Sequence, residues 1–142
     1  MAVEQPREEV DRLVERILDA QRAVTSIVAG GVRYEDLDKP TEHEGIAVQD
    51  VLRMWVWHFW SHHRELVRAR GALTGDNPHF HVPHFIRQAS EECGRFVGEL
   101  ACLTDDQLDL QIPDGGRTIR EIVEHVIDSL EAYFPQQLAD SP

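Results

Sequence analysis

The sequence predicts an all-α protein, and three observations carry that prediction. Apolar residues recur every three to four positions in four long segments. Stretches that contain glycine or proline separate these segments. No segment alternates apolar and polar residues for long enough to predict a β-strand. Four amphipathic helices in a chain of 142 residues predict a single domain, residues 1–142, with the architecture of a four-helix bundle.

The first two predicted helices are bounded by proline and glycine. Pro6 suits the first turn of the first helix, and the Gly30–Gly31 pair suits its end. The second helix is predicted over about 47–69 and is closed by Gly71. The apolar stripe of the first helix comprises Val10, Leu13, Val14, Ile17, Leu18, Val24, Ile27 and Val28.

The third and fourth predicted helices follow two loops. Pro83 opens the third helix after the loop GALTGDNPHFHVP. Thr118 and Glu121 at the start of the fourth helix have the spacing of a capping box, in which each side chain pairs with the other residue's backbone N–H.

Composition and charge exclude several classes of function. The net charge of −12 repels phosphate backbones and predicts no binding to nucleic acid or to anionic membranes. No apolar run reaches the length of a membrane span, and the N-terminus has no apolar signal core.

Cys93 and Cys102 point to opposite sides of one helix. The sequence therefore predicts a cytoplasmic protein with two buried thiols.

Two stretches of the chain have similar patterns. Residues 47–67 and 118–138 share the order of small, β-branched, polar, acidic and aliphatic positions over their first eight residues. Either two helices of one bundle simply resemble each other, or they occupy equivalent places around a pseudo-twofold centre. The second interpretation pairs Met54 with His125, His58 with Ser129 and His62 with Tyr133.

Two segments of the sequence resemble corresponding segments of the DinB-like superfamily. They are IAVQDVLRMWVWH and LTDDQLDLQIPDGGRTIREIVEHV. The resemblance covers nearly the whole chain and implies an up-down-down-up four-helix bundle that is commonly dimeric. It also implies a divalent metal held by one histidine of the second helix and an HxxxH pair of the fourth. These ligands fall at Met54, His125 and Ser129, of which His125 alone is a histidine. Some relatives with the metal transfer low-molecular-weight thiols or isomerise thiol adducts, and others without it are small-molecule hydrolases or binding proteins.

A displaced metal site is predicted between the second and fourth helices. His58 and His62 are four residues apart, the spacing at which two imidazoles reach one ion. With His125 they form a candidate ligand set for Zn²⁺, Ni²⁺, Mn²⁺ or Fe²⁺, and Glu121 would be a further ligand or orient one. The alternative is that these histidines pack against neighbouring carboxylates or carbonyls.

The aromatic residues of WVWHFW divide between two faces of the second helix. Trp55 and Phe59 lie in its apolar stripe and are predicted to be core residues. Trp57 and Trp60 lie roughly 200° and 140° from the centre of that stripe, so they need a second neighbour, either the long connection after the first helix or another subunit. The preferred interpretation is a homodimer interface. A small-molecule pocket beside the predicted site is assigned to Met54, Trp55, Ser129 and Tyr133.

Three functions remain open from the sequence. The first is a metal-dependent thiol-transferase or hydrolase, whose catalytic residues the sequence does not assign. The second is a metal-free small-molecule binding or resistance-type protein, and the third is a dimeric protein without catalysis. A further histidine cluster, His79, His81 and His84, lies in the proline-bounded loop before the third helix and is either a loop metal site or merely exposed.

Overall fold

The structure is a computed structural model that describes residues 7–75, 81–113 and 115–139. Within these residues helices are the regular structure, joined by turns, and an isolated bridge pairs Pro40 with Ala47. The all-α prediction is therefore confirmed. The chain forms two compact units, residues 1–97 and 98–142, and each is described by itself.

The first unit begins with helix α1, Glu8–Gly31, and continues with helix α2, Val48–Thr74. Acidic residues in the first turn of α1 interact favourably with the positive end of the helix dipole. Helix α1 ends at Gly31, as the glycine pair predicts. The indole Nε1 of Trp55 in α2 donates a hydrogen bond to Oε1 of Gln21 in α1 at 3.0 Å.

Helix α2 is longer than its sequence pattern suggests. Gly71 was the predicted stop, but the helix continues to Thr74. Gly75 ends it instead, with φ of 79° and its N–H donating to the carbonyl of Gly71 at 2.9 Å. A left-handed φ is accessible to glycine at little cost, so the glycine that takes this conformation sets the end of the helix.

Helix α3 spans His81–Ala101, and the boundary between the two units falls inside it. It starts two residues before Pro83, the predicted first residue. This position places Pro83 in the first helical turn, where a missing backbone N–H removes no helical hydrogen bond.

The second unit contains helix α4, Ile119–Asp128, and its predicted capping box is confirmed. The N–H of Glu121 donates to Oγ1 of Thr118 at 3.2 Å, and the N–H of Thr118 donates to Oε2 of Glu121 at 2.8 Å. Two of the donors that a helix start leaves unpaired are thereby satisfied.

Helix α4 continues through a π-helical turn, Ser129–Tyr133, into the short helix α5, Phe134–Ala139. The N–H of Phe134 donates to the carbonyl of Ser129, five residues back. Pro135 explains this widening, because its ring would clash with the carbonyl of Glu131 in a regular α-helix and it has no N–H to donate.

A capped corner joins α1 to α2. After the 3₁₀ turn Tyr34–Asp36, the carbonyl of Leu37 accepts from the N–H of Gln49 at 2.9 Å. The side-chain amide of Gln49 donates to Oδ1 of Asp38 at 2.5 Å. These bonds tie the turn to the first residues of α2.

The corner before α4 repeats this arrangement 71 positions further along the chain, after the 3₁₀ turn Asp105–Gln107. The carbonyl of Leu108 accepts from the N–H of Arg120 at 3.0 Å. The guanidinium of Arg120 makes two bonds to the carboxylate of Asp109, at 2.7 and 3.1 Å. This contact lowers the pKa of Asp109, mainly through the hydrogen bond from Arg120 and to a smaller extent through its positive charge.

The side chains of the described residues are more exposed than the sequence predicts. None of these side chains is fully buried. Phe59, predicted to be a core residue, is 48% exposed, while Trp55 is half-buried. The prediction that Cys93 and Cys102 are buried is wrong, because both thiols are exposed. A helical stripe indicates which face of a helix is apolar and leaves open what covers that face.

Candidate functional site

His58 and His62 form a close pair on one face of α2. Their rings meet edge to face with centroids 4.5 Å apart. Nδ1 of His62 lies 2.6 Å from Oε2 of Glu65. An ionised carboxylate can only accept a hydrogen bond, so Nδ1 donates, and in the neutral imidazole Nε2 then carries the lone pair. A carboxylate orients a metal-binding imidazole in the same way.

The other residues of the predicted metal site, His125 and Glu121, lie in the second unit. His125 is exposed on α4, and its carbonyl accepts from Oγ of Ser129 at 2.9 Å. The Ser129 hydroxyl thus bonds to the backbone. One carboxylate oxygen of Glu121 is engaged in the helix cap, as described above. The three predicted histidine ligands are therefore divided between the two units, and the metal site stays a prediction.

Neither a metal cluster nor a membrane span is found in the described part of the chain. In residues 7–75, 81–113 and 115–139, no group of three or more His, Cys, Asp or Glu side chains is arranged to hold an ion. No helix formed by these residues is long and apolar enough to cross a membrane.

The residues of the predicted small-molecule pocket have different surroundings. Trp55 is hydrogen-bonded to Gln21 on the side of α2 that contacts α1. Met54 is half exposed and lines a groove on α2. Tyr133 lies in the π-helical turn, where its ring meets that of Phe134 edge to face at 5.3 Å.

Trp57 and Trp60 lie side by side on α2, as their spacing predicts. They are 64% and 53% exposed. Together with neighbouring residues they form an open groove of about 930 Å³, which we call the tryptophan groove. It is lined by Leu52, Arg53, Met54, Val56, Trp57 and Trp60. All of them belong to one helix, so the groove is an apolar helix surface rather than an enclosed cavity.

The loop cluster of histidines is described in part. His79 lies outside the described residues, as does the side chain of His81. His84 lies in the first turns of α3, where the guanidinium of Arg87 donates to its Nδ1 at 3.4 Å. The proposed loop metal site therefore stays untested.

Two partners of the site residues were missed by the sequence analysis. Glu65 follows His62 by three residues, a helical spacing that places both side chains on one face. Arg64 follows Trp60 by four residues, and its guanidinium lies 4.2 Å from the centre of the indole ring. Both spacings are visible in the sequence, but the same spacings occur on many solvent-exposed helix faces.

Comparison with known proteins gives no match. No protein-family model, no curated protein and no solved structure matches this chain.

Proposed function

We propose that the chain is a DinB-like four-helix bundle, up-down-down-up and a single domain, with a displaced histidine metal centre. His58, His62 and His125 would hold one divalent ion, Zn²⁺, Ni²⁺, Mn²⁺ or Fe²⁺. The activity would be the transfer of a low-molecular-weight thiol or the hydrolysis of a small molecule.

The observation that carries the proposal is the His58–His62 pair with Glu65. Two imidazoles whose centroids are 4.5 Å apart are close enough to donate to one ion. The hydrogen bond from Nδ1 of His62 to Glu65 leaves Nε2 available to bind an ion. Imidazole nitrogens suit all four of the metals named.

His125 would complete the ligand set from α4, which the Thr118–Glu121 capping box holds at its first turn. Glu121 would orient a ligand or the ion's water through the carboxylate oxygen that the cap does not use. A bound ion would supply Lewis acidity, polarising a carbonyl or lowering the pKa of a thiol or water. Glu65 would keep His62 in the tautomer that binds the ion.

Elemental analysis of untagged protein, purified without chelator or a nickel column, tests the metal centre. We expect about one ion per chain, and we expect the His58→Ala/His125→Ala variant to lose it. His63→Ala is the control, because this residue neighbours the pair in sequence but points about 100° away from His62. Metal-free protein that stays metal-free after dialysis against Zn²⁺ and Ni²⁺ would contradict the proposal and favour the metal-free binding protein.

A homodimer through α2 is part of the same proposal. The tryptophan groove supports it, since two neighbouring indoles that are more than half exposed on one helix are typical of an interaction surface. We expect the Trp57→Ser/Trp60→Ser variant to be monomeric in sedimentation velocity. Leu73→Ser is the control, because Leu73 is 87% exposed on the same helix and outside the groove. A dimer that persists in the double variant would contradict this assignment.

A further inference from the structure

The exposed face of α2 carries a stripe of side chains that is symmetric about Trp57. The stripe covers about 120° of the helix circumference, on the side away from Trp55 and α1. Its members stand three, four or seven residues before and after Trp57, and we call them the palindromic stripe. They are Asp50, Arg53, Met54, Trp57, Trp60, Ser61 and Arg64.

The charges of this stripe are complementary when two copies of α2 run in opposite directions. Asp50 stands seven residues before Trp57, and Arg64 stands seven residues after it. Two copies of α2 that cross antiparallel at Trp57 would place each Arg64 opposite Asp50 of the other copy. A parallel pair would place Arg64 opposite Arg64 and Asp50 opposite Asp50. Opposite charges therefore favour the antiparallel pair.

The apolar residues of the stripe surround its centre. Met54 and Trp60 lie about 60° to either side of Trp57, at the two edges of the stripe. They are 50% and 53% exposed, so both are accessible to a second copy. The result is an aromatic centre with charged ends, which is the usual composition of a protein interface.

The two charged residues also have contacts within the chain, and the side chain of Asp50 stays 45% exposed. Oδ2 of Asp50 accepts from the N–H of Ala47 at 2.9 Å, while Oδ1 lies 3.6 Å from the guanidinium of Arg53. The guanidinium of Arg64 lies over the ring of Trp60, at the edge of the tryptophan groove. It can contact a carboxylate without leaving that ring.

We propose that α2 pairs with α2 of a second copy of this chain, antiparallel and with the twofold axis at Trp57. This inference rests on the homodimer proposed above and adds its direction and register. The stripe is about 21 Å long and about 10 Å wide. Such a strip is smaller than a standard interface of about 800 Å² per partner. We therefore expect a dimer whose population changes with protein concentration.

Disulfide trapping tests the direction and register. Position 53 should face position 61 of the second copy, because both stand four residues from Trp57. In a Cys93→Ala/Cys102→Ala background, chains carrying Arg53→Cys are mixed with chains carrying Ser61→Cys under mild oxidation. We expect disulfides between the two kinds of chain. Two Ser61→Cys chains should not link, since their thiols would lie about 12 Å apart along the helix axes, beyond the reach of about 7 Å between Cα atoms.

Reversing one charge tests the pairing independently. We expect Arg64→Glu to raise the dissociation constant of the dimer about tenfold, because two attractive pairs become repulsive. Arg70→Glu is the matched control, since it makes the same charge change on the opposite side of α2. It should leave the dissociation constant unchanged.

Each outcome has a distinct meaning. Mixed disulfides together with weakening by Arg64→Glu would support the antiparallel register. A dimer in which Ser61→Cys chains link to one another would overturn the register and leave the homodimer standing. Protein that sediments as a monomer at every concentration tested would overturn both the register and the homodimer, without touching the metal centre.

Discussion

The cap of α4 predicts opposite effects for two substitutions at equivalent positions. Thr118 and Ala47 are the residues that precede α4 and α2, and they stand 71 positions apart in the two repeated corners. Their backbones are alike, with φ and ψ of −65° and 164° at Thr118 and of −86° and 165° at Ala47. Thr118→Ala should destabilise the protein, and Ala47→Thr should stabilise it.

The expected magnitude follows from the hydrogen bonds. At α4 both bonds of the capping box are present, as described above. At α2 the acidic half is present, since Asp50 accepts from the N–H of Ala47 at 2.9 Å, but alanine has no hydroxyl to accept the other bond. Losing or gaining that side-chain acceptor changes the free energy of unfolding by about 1 kcal/mol. The two variants should therefore shift stability by similar amounts with opposite sign.

Urea denaturation followed by circular dichroism measures both changes against the unsubstituted chain. The double variant Thr118→Ala/Ala47→Thr is the control, and its midpoint should return close to that of the starting protein if the two corners are independent. If Ala47→Thr and Thr118→Ala both destabilised the protein, the equivalence of the two corners would be refuted. No effect from Thr118→Ala would refute the role of the cap itself.

The remaining predictions concern the π-helical turn and the Arg120–Asp109 bridge. Pro135→Ala should allow a regular α-helix through residues 129–139 and stabilise the protein by up to about 3 kcal/mol. An unchanged or lower urea midpoint would contradict the view that Pro135 causes the π-helical turn. Arg120 lowers the pKa of Asp109 in the folded chain. The bridge therefore stabilises the fold at any pH above 3.8, the ordinary pKa of an aspartate. This stabilisation is lost as the pH falls through the lowered pKa of the folded chain. Asp109→Asn and Arg120→Gln should both lose less stability than the starting protein between about pH 5 and pH 2, as measured by urea midpoints. A loss equal to that of the starting protein would contradict the contribution of the bridge.

The helical elements were largely predictable because their signals are local. The Thr118–Glu121 box and the Gly30–Gly31 end depend on bonds between residues a few positions apart, and both predictions are confirmed. The end of α2 was not predictable in the same way, since Gly71 and Gly75 are equally able to stop a helix. Pro135 was visible in the sequence, but the choice between a break, a kink and a π-helical turn depends on how nearby carbonyls rearrange.

The candidate site was predictable in part. Helical spacing brings His58 to His62, and the same regularity places Trp57 beside Trp60. It does not determine that His62 turns its Nδ1 to Glu65, or that Ser129 bonds to the carbonyl of His125. Those are choices among side-chain rotamers, and each is decided by which partner lies within hydrogen-bond reach.

The sequence by itself determined the helical class, the apolar stripes and the similarity of residues 47–67 and 118–138, because all three follow from periodicity along one chain. The three-dimensional structure decided that this similarity extends to the two capped corners. Leu37 and Gln49 are twelve residues apart, as are Leu108 and Arg120, and their backbone bonds of 2.9 and 3.0 Å form only when a turn brings the ends of a loop together. No helical or strand period relates residues at that separation, so their pairing is a property of the folded chain.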